Sequence, residues 1–189
     1  PDATDSQTVT AEGIEFDTTI NLTRSLRLLW NYSSNKLSNT DRYPVLKSVQ
    51  ADARSRNLAT PNTDAFLATV PEGTPSAGFT KVRSNLVASY RFNAGPLRGL
   101  SLGGGAQYRE RTYQGNFDLN RDGFAEELWT PGYTVVNLMC GYRTRLWDRP
   151  VDIGLNVNNL FDKEYFRATS LASGAWGEER SFRVSFRID

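Results

Sequence analysis

Apolar and polar side chains alternate with a period of two in seven separate stretches, the pattern of β-strands that carry one apolar face. In 13–22 (GIEFDTTINL), Ile14, Phe16, Ile20 and Leu22 share a face with Thr18, against Glu15, Asp17, Thr19 and Asn21. In 26–33 (LRLLWNYS), Leu26, Leu28, Trp30 and Tyr32 oppose Arg27, Leu29, Asn31 and Ser33. The same alternation runs through 82–92, 100–113, 134–146, 151–159 and 181–189, where Phe182, Val184, Phe186 and Ile188 oppose Arg183, Ser185, Arg187 and Asp189. No helical pattern of similar length competes, although 45–56 reads as one short helix.

The connections alternate as well. Those after the first, third and fifth strands are short (TRS, NAGPLRG, WDRP), while 34–79, 113–131 and 159–179 are long loops. Short turns at one end and long loops at the other are the habit of a barrel that crosses a bilayer. Aromatic residues near the strand ends (Trp30, Tyr32, Tyr90, Phe92, Tyr108, Tyr142) suit the two headgroup levels. The expected fold is therefore all-β, an antiparallel up-and-down transmembrane β-barrel, of which about seven strands are present, with outer-membrane lipid as its partner. A soluble β-sandwich binding domain alternates too, as would a small outer-membrane structural barrel. The sandwich requires the Phe182, Val184 and Phe186 row to pack on a second sheet.

Composition narrows the chemistry. With 22 basic and 21 acidic residues the net charge is +1, which provides no electrostatic case for a nucleic-acid partner. There is no histidine, which removes imidazole bases, Ser-His and Cys-His nucleophiles and most zinc sites, so an enzyme is not expected. The one cysteine, Cys140, is expected to face lipid as a small apolar group. No apolar run reaches the length of a spanning helix. The opening PDATDSQ is not a signal peptide, so the chain is expected to be an internal piece or one whose export signal was removed.

Two constellations carry candidate chemistry. In DLNRDGFAEELW, Asp118, Asn120 and Asp122 stand at positions one, three and five with Gly123 at six, matching the front of a calcium loop. The twelfth position is Trp129 rather than Glu, with Glu126 nearby, so an ordinary Asp/Asn/Gly turn is the alternative to calcium in loop 113–131. The polar faces carry arginines, Arg109 and Arg111 among them, which either draw in an anionic ligand or pair with Glu15, Asp17 and Asp152 across strands. Ligand-binding candidates are Arg109, Arg111, Phe124, Trp129 and Trp176. The run Gly103–Gly105 is no phosphate loop and marks a bend or a close neighbouring chain.

The segment NVNNLFDKEYF (156–166), followed by GEERSFRVSFRI (177–188), resembles the C-terminus of TonB-dependent outer-membrane receptors. In that family an Asn-Leu-Phe-Asp-Lys-x-Tyr segment closes the penultimate strand and Gly-x-x-Arg, here Gly177 to Arg180, opens the last. GIEFDTTINLTRSLRLLWNYS and PGYTVVNLMCGYR resemble the family's strands as well. The resemblance implies that 1–189 is the C-terminal part of a receptor barrel in the bacterial outer membrane, without plug domain or N-terminal strands. It implies import of a scarce nutrient, most often a ferric siderophore and so a small-molecule metal chelate. It also implies energy from the TonB complex, reached through the absent N-terminal region, and no required cofactor. Members usually end on an aromatic residue, whereas this chain ends Phe186-Arg-Ile-Asp189.

Overall fold

The computed structural model describes residues 4–122, 124–171 and 173–188. Seven strands form one antiparallel sheet: β1 (Thr8–Asn21), β2 (Leu26–Thr40), β3 (Val82–Arg91), β4 (Leu100–Arg109), β7 (Tyr133–Leu146), β8 (Arg149–Asn158) and β11 (Ser181–Ile188), each paired with the next in that order. Helices α1 (Pro44–Ser55) and α2 (Pro61–Thr69) lie in the β2–β3 connection. The connection after β4 folds into a hairpin, β5 (Thr112–Phe117) with β6 (Glu126–Thr130). The one after β8 forms β9 (Phe166–Ser170) with β10 (Ser173–Trp176).

Register assigns the two faces. One row runs Leu26, Tyr90, Leu102, Cys140, Leu155, Val184 across six strands. The face one residue away carries Arg27, Ser89, Gly103, Met139, Asn156 and Arg183 in line. Among the described residues no second sheet lies against the apolar face: Phe182, Val184 and Phe186 are 66%, 73% and 59% exposed. A soluble sandwich would bury that row, so that alternative fails. The sheet curls toward its polar face, which lines a concavity of about 900 Å³ bounded by Arg91, Ser101, Gly141, Arg143, Asp152 and Ser185. An apolar convex side and a polar concave side are what a barrel wall in lipid requires.

The turns also step along the strands. Asn21 and Leu26 bracket the first turn, level with Tyr90, whereas the tip of β7–β8 lies at Trp147 and Asp148, well beyond Cys140 of the same row. Such a stagger is produced when strands tilt to close a barrel. Among the described residues no partner joins β1 to β11, so both edges are open. Aromatic residues of the lipid side fall into two bands. Phe16, Trp30 and Tyr32 cluster toward the loops, with Phe16 and Trp30 centroids 5.2 Å apart. Tyr90 and Phe92, 4.8 Å apart, lie toward the turns. Gly103 is a close-approach position, since a Cβ there would lie 2.9 Å from both Ala88 O and Met139 Cγ.

The sequence reading of 100–113 as one strand needs correction. The strand stops at Arg109, and Thr112 restarts in another sheet, where Tyr113 turns into a packed loop layer. Tyr113 is 2% exposed, and Asn39, Arg42, Thr80, Thr112, Gln114, Asn116 and Ala168 are buried with it. The closest-packed part of the molecule is thus the cap built by its three long connections. This follows from the environment, because a single barrel wall has no protein on either side to pack against.

Candidate functional site

The cap and the loop end of the polar face form the candidate site. The cap is held by local charge pairing. Asp5, before β1, accepts the Val45 and Leu46 N–H groups at 3.2 and 2.8 Å and so caps α1 from a distant part of the chain. Asp64 on α2 receives Thr60, Gln50 and Arg54, the last at 2.9 Å, and Glu72 receives Lys47 and the Arg42 N–H. Tyr43 and Phe66 meet edge to face at 5.1 Å, which joins the start of α1 to α2.

These partners hold the three carboxyls below their ordinary values. At Asp64 the Thr60 hydroxyl contributes most, and at Glu72 the Lys47 ammonium. At Asp5 desolvation pushes upward but is outweighed by the N–H donors of Leu46, Ser6 and Val45. A depressed native pKa stabilises the fold above the ordinary carboxylate value of about 4, and that contribution is lost as pH falls through the lower native values. Pepsin digestion of the intact receptor, corrected against an unfolded control, is therefore expected to cut within 41–75 increasingly as pH drops below about 4, with the sheet intact. Cutting that does not change with pH would count against this pairing as what holds the cap.

The β5–β6 hairpin brings two of the sequence candidates, Arg111 and Trp129, together. Arg111 stacks on Trp129 with its guanidinium carbon 4.2 Å from the ring centroid, and Trp129 Nε1 donates to Glu127 at 2.9 Å. Tyr113 packs against the same ring at 5.2 Å, and Arg109 ends β4 two residues before Arg111. Phe124 and Trp176 stand elsewhere. Phe124 is 75% exposed beside Asp122, and Trp176 is on β10 with its ring 5.6 Å from Phe166.

In the calcium-like segment, Asp118 and Asn120 side-chain oxygens both accept the Asp122 N–H, at 3.0 and 3.1 Å. Asp122 accepts the Phe124 N–H and Glu126 the Leu119 N–H. Gly123 lies outside the described residues. Among those described, no three Asp, Glu or Cys side chains converge as metal ligands. The geometry is that of a turn closed on its own amides.

The inward arginines divide by position. At the turn end Arg143 grips Asp152 in a two-pronged pair at 2.6 and 3.0 Å, with Arg187 opposite Asp152 on the other side. The expected cross-strand pairing holds there. Glu15 and Asp17 form no ion pair with an arginine among the described residues, and Asp17 instead accepts the Asn31 amide.

The break after β8 is a knot around one side chain. Asn159 is 2% exposed with φ +49°, a backbone region that Asn tolerates. Its Nδ2 donates to Lys163 O and Glu178 O at 3.0 and 2.9 Å, its Oδ1 accepts the Lys163 N–H, and its own N–H donates to Asn137 Oδ1. Asp162 accepts the Arg180 N–H at 2.8 Å. The two C-terminal motifs are therefore one physical unit. Gly177 completes it, because a Cβ there would fall within the Tyr165 ring, which stacks on Tyr133 at 4.3 Å.

A curled sheet with an exposed apolar exterior, a polar interior and a packed cap defines a segment of a membrane-spanning β-barrel with elaborated external loops. Residues 3–160 match the family described as TonB dependent receptor-like, beta-barrel, and the chain belongs to that family. The chain is 34% identical over 114 residues to the ferrichrome outer membrane transporter/phage receptor of Escherichia coli, a match covering 59% of this chain and 14% of that one. It is 32% identical over 106 residues to the ferripyoverdine receptor of Pseudomonas aeruginosa, covering 56% and 12%. The fold matches the crystal structure of the ferric preacinetobactin receptor from Acinetobacter baumannii with a TM-score of 0.68 at 19% identity, over 98% of this chain and 23% of that one. It matches that of the ferripyoverdine receptor bound to ferripyoverdine at 0.67 and 21%, over 95% and 19%. The chain thus spans less than a quarter of the length of each of these proteins.

Proposed function

We propose that residues 1–189 form the C-terminal strands of a TonB-dependent receptor in the bacterial outer membrane that binds and imports a ferric siderophore. The observation that carries this reading is the pairing of an unpartnered apolar exterior with a polar concave interior in a sheet whose two edges stay open. An open edge in hydrocarbon leaves backbone groups without partners, so further strands must close the barrel. In this reading a plug and the remaining strands belong to the rest of the receptor, and the TonB complex supplies the energy. The named relatives are transport receptors for iron chelates, which supports the cargo class. No covalent chemistry is needed, and this reading assigns no role to calcium, since oxygens of Asp118, Asn120, Asp122 and Glu126 each accept an amide within the turn.

The cap residues Arg111 and Trp129 are the proposed first contacts for the chelate. Trp129→Ala in the intact receptor removes the surface on which Arg111 is stacked and is expected to weaken ferric-siderophore binding about tenfold. Tryptophan-fluorescence titration and radioactive-iron uptake measure it. Unchanged binding would take the β5–β6 hairpin out of the contact set.

A further inference from the structure

The polar face repeats one arrangement at its two ends, with a difference. At the turn end, the row Arg143, Asp152, Arg187 sets a carboxylate between two arginines on adjacent strands. At the loop end, the row runs Glu15, Ser33, Arg83, Arg109, Tyr133, and Arg83 lies directly opposite Arg109 on the neighbouring strand. Like charges facing one another across an antiparallel pair repel. Among the described residues neither Arg83 nor Arg109 has an ion-pair or side-chain hydrogen-bond partner. Glu15 is two strands from Arg83, beyond Ser33, and Asp17, one register step further along, is engaged by Asn31.

We propose that Arg83 and Arg109, with the Tyr133 hydroxyl beside them, form an anion seat in the upper lumen, and that the cargo enters with a negatively charged oxygen group directed there. The ligand class is a chelate that bears a carboxylate or catecholate-type oxyanion, not a neutral one. Two adjacent guanidinium forks match a planar oxyanion through several charge-assisted hydrogen bonds, which the repulsion between them leaves unmet until the ligand arrives. Tyr133 is held by its stacking on Tyr165, so its donor is fixed in advance. Arg111, stacked on Trp129, stands between this pair and the outside and extends the positive path into the lumen.

This inference rests on the transport reading, and two measurements on the intact receptor keep them apart. The first compares binding of an anionic ferric tricatecholate and a neutral ferric trihydroxamate to the native receptor and to Arg83→Gln/Arg109→Gln. The double variant is expected to lose about 10- to 100-fold in affinity for the anionic probe and none for the neutral one. It should also be as stable as the native receptor toward guanidinium, because a repulsive pair has been removed. Equal loss on both probes, no loss on either, or a drop in stability would overturn the seat. The second is a bromide-soaked crystal of the receptor. Bromide between the two guanidiniums is expected, and a carboxylate of the receptor itself in that position would overturn the inference. Failure of the native receptor to support iron uptake from any chelate would sink the transport reading, while the crystal still decides the seat.

Discussion

Leu155→Lys will destabilise the folded receptor by about 2–4 kcal/mol, whereas Asn156→Asp, one residue further on, will change stability by less than about 0.5 kcal/mol. Leu155 lies near the middle of β8 on the exposed apolar side, flanked in register by Cys140 and Val184. A lysine there must hold its ammonium in hydrocarbon or reach several residues to a headgroup. Asn156 points to the opposite face, between Met139 and Arg183, where an added carboxylate meets water and a cation. Neither variant alters the backbone ladder, so the difference reports only the solvent on each side of the sheet. Guanidinium unfolding of the intact receptor in phospholipid vesicles measures both. Equal costs would mean that the two faces see the same medium, and the barrel wall would be wrong.

The second large effect is expected at Asn159. Asn159→Ala leaves the Lys163 N–H, the Lys163 carbonyl and the Glu178 carbonyl without their side-chain partner at a part-buried site, where Asn159 itself is 2% exposed. Each orphaned group costs about 1–3 kcal/mol when buried. Alanine also tolerates the positive φ less well than asparagine. A loss of about 1–3 kcal/mol is expected, with the β8–β11 exit loosening first. Asn159→Asp should fall between the two, since it keeps the acceptor for Lys163 N–H but turns an oxygen toward two carbonyls. The temperature at which the unboiled receptor loses its compact gel mobility reads the ranking. A loss under about 1 kcal/mol would show that water replaces the side chain, and the knot would not be what ends the strand.

Much of this was legible in the chain. Alternation located all seven strands of the main sheet and both of its faces, because a period of two is a local property that survives without knowing any partner. The helix expected at 45–56 is α1 at Pro44–Ser55. Asn159 and Asp162 could be suspected as a strand exit, since their side chains satisfy nearby amides. The second helix, α2, and the hairpins β5–β6 and β9–β10 were not legible. Their segments are short, and their apolar residues pack on other loops, so no periodic face marks them. Tyr113 is the clearest case: it closes the stretch read as one strand with β4, yet it lies in another sheet and fills the cap.

The candidate site was legible in part. Arg109, Arg111 and Trp129 stand out in the sequence by residue type and position, and the structure joins the last two in one stack. That Arg83 faces Arg109 while Arg143 faces Asp152 depends on register between strands separated by a turn or a folded loop, which the alternation does not set. The sequence by itself determined which side of every strand meets lipid, because burial in hydrocarbon acts on each residue separately and leaves a mark at each one. Only the tertiary structure decided which charges stand opposite one another and which loop residues form the cap. Those depend on pair distances, and distances between remote parts of a chain exist only once it has folded.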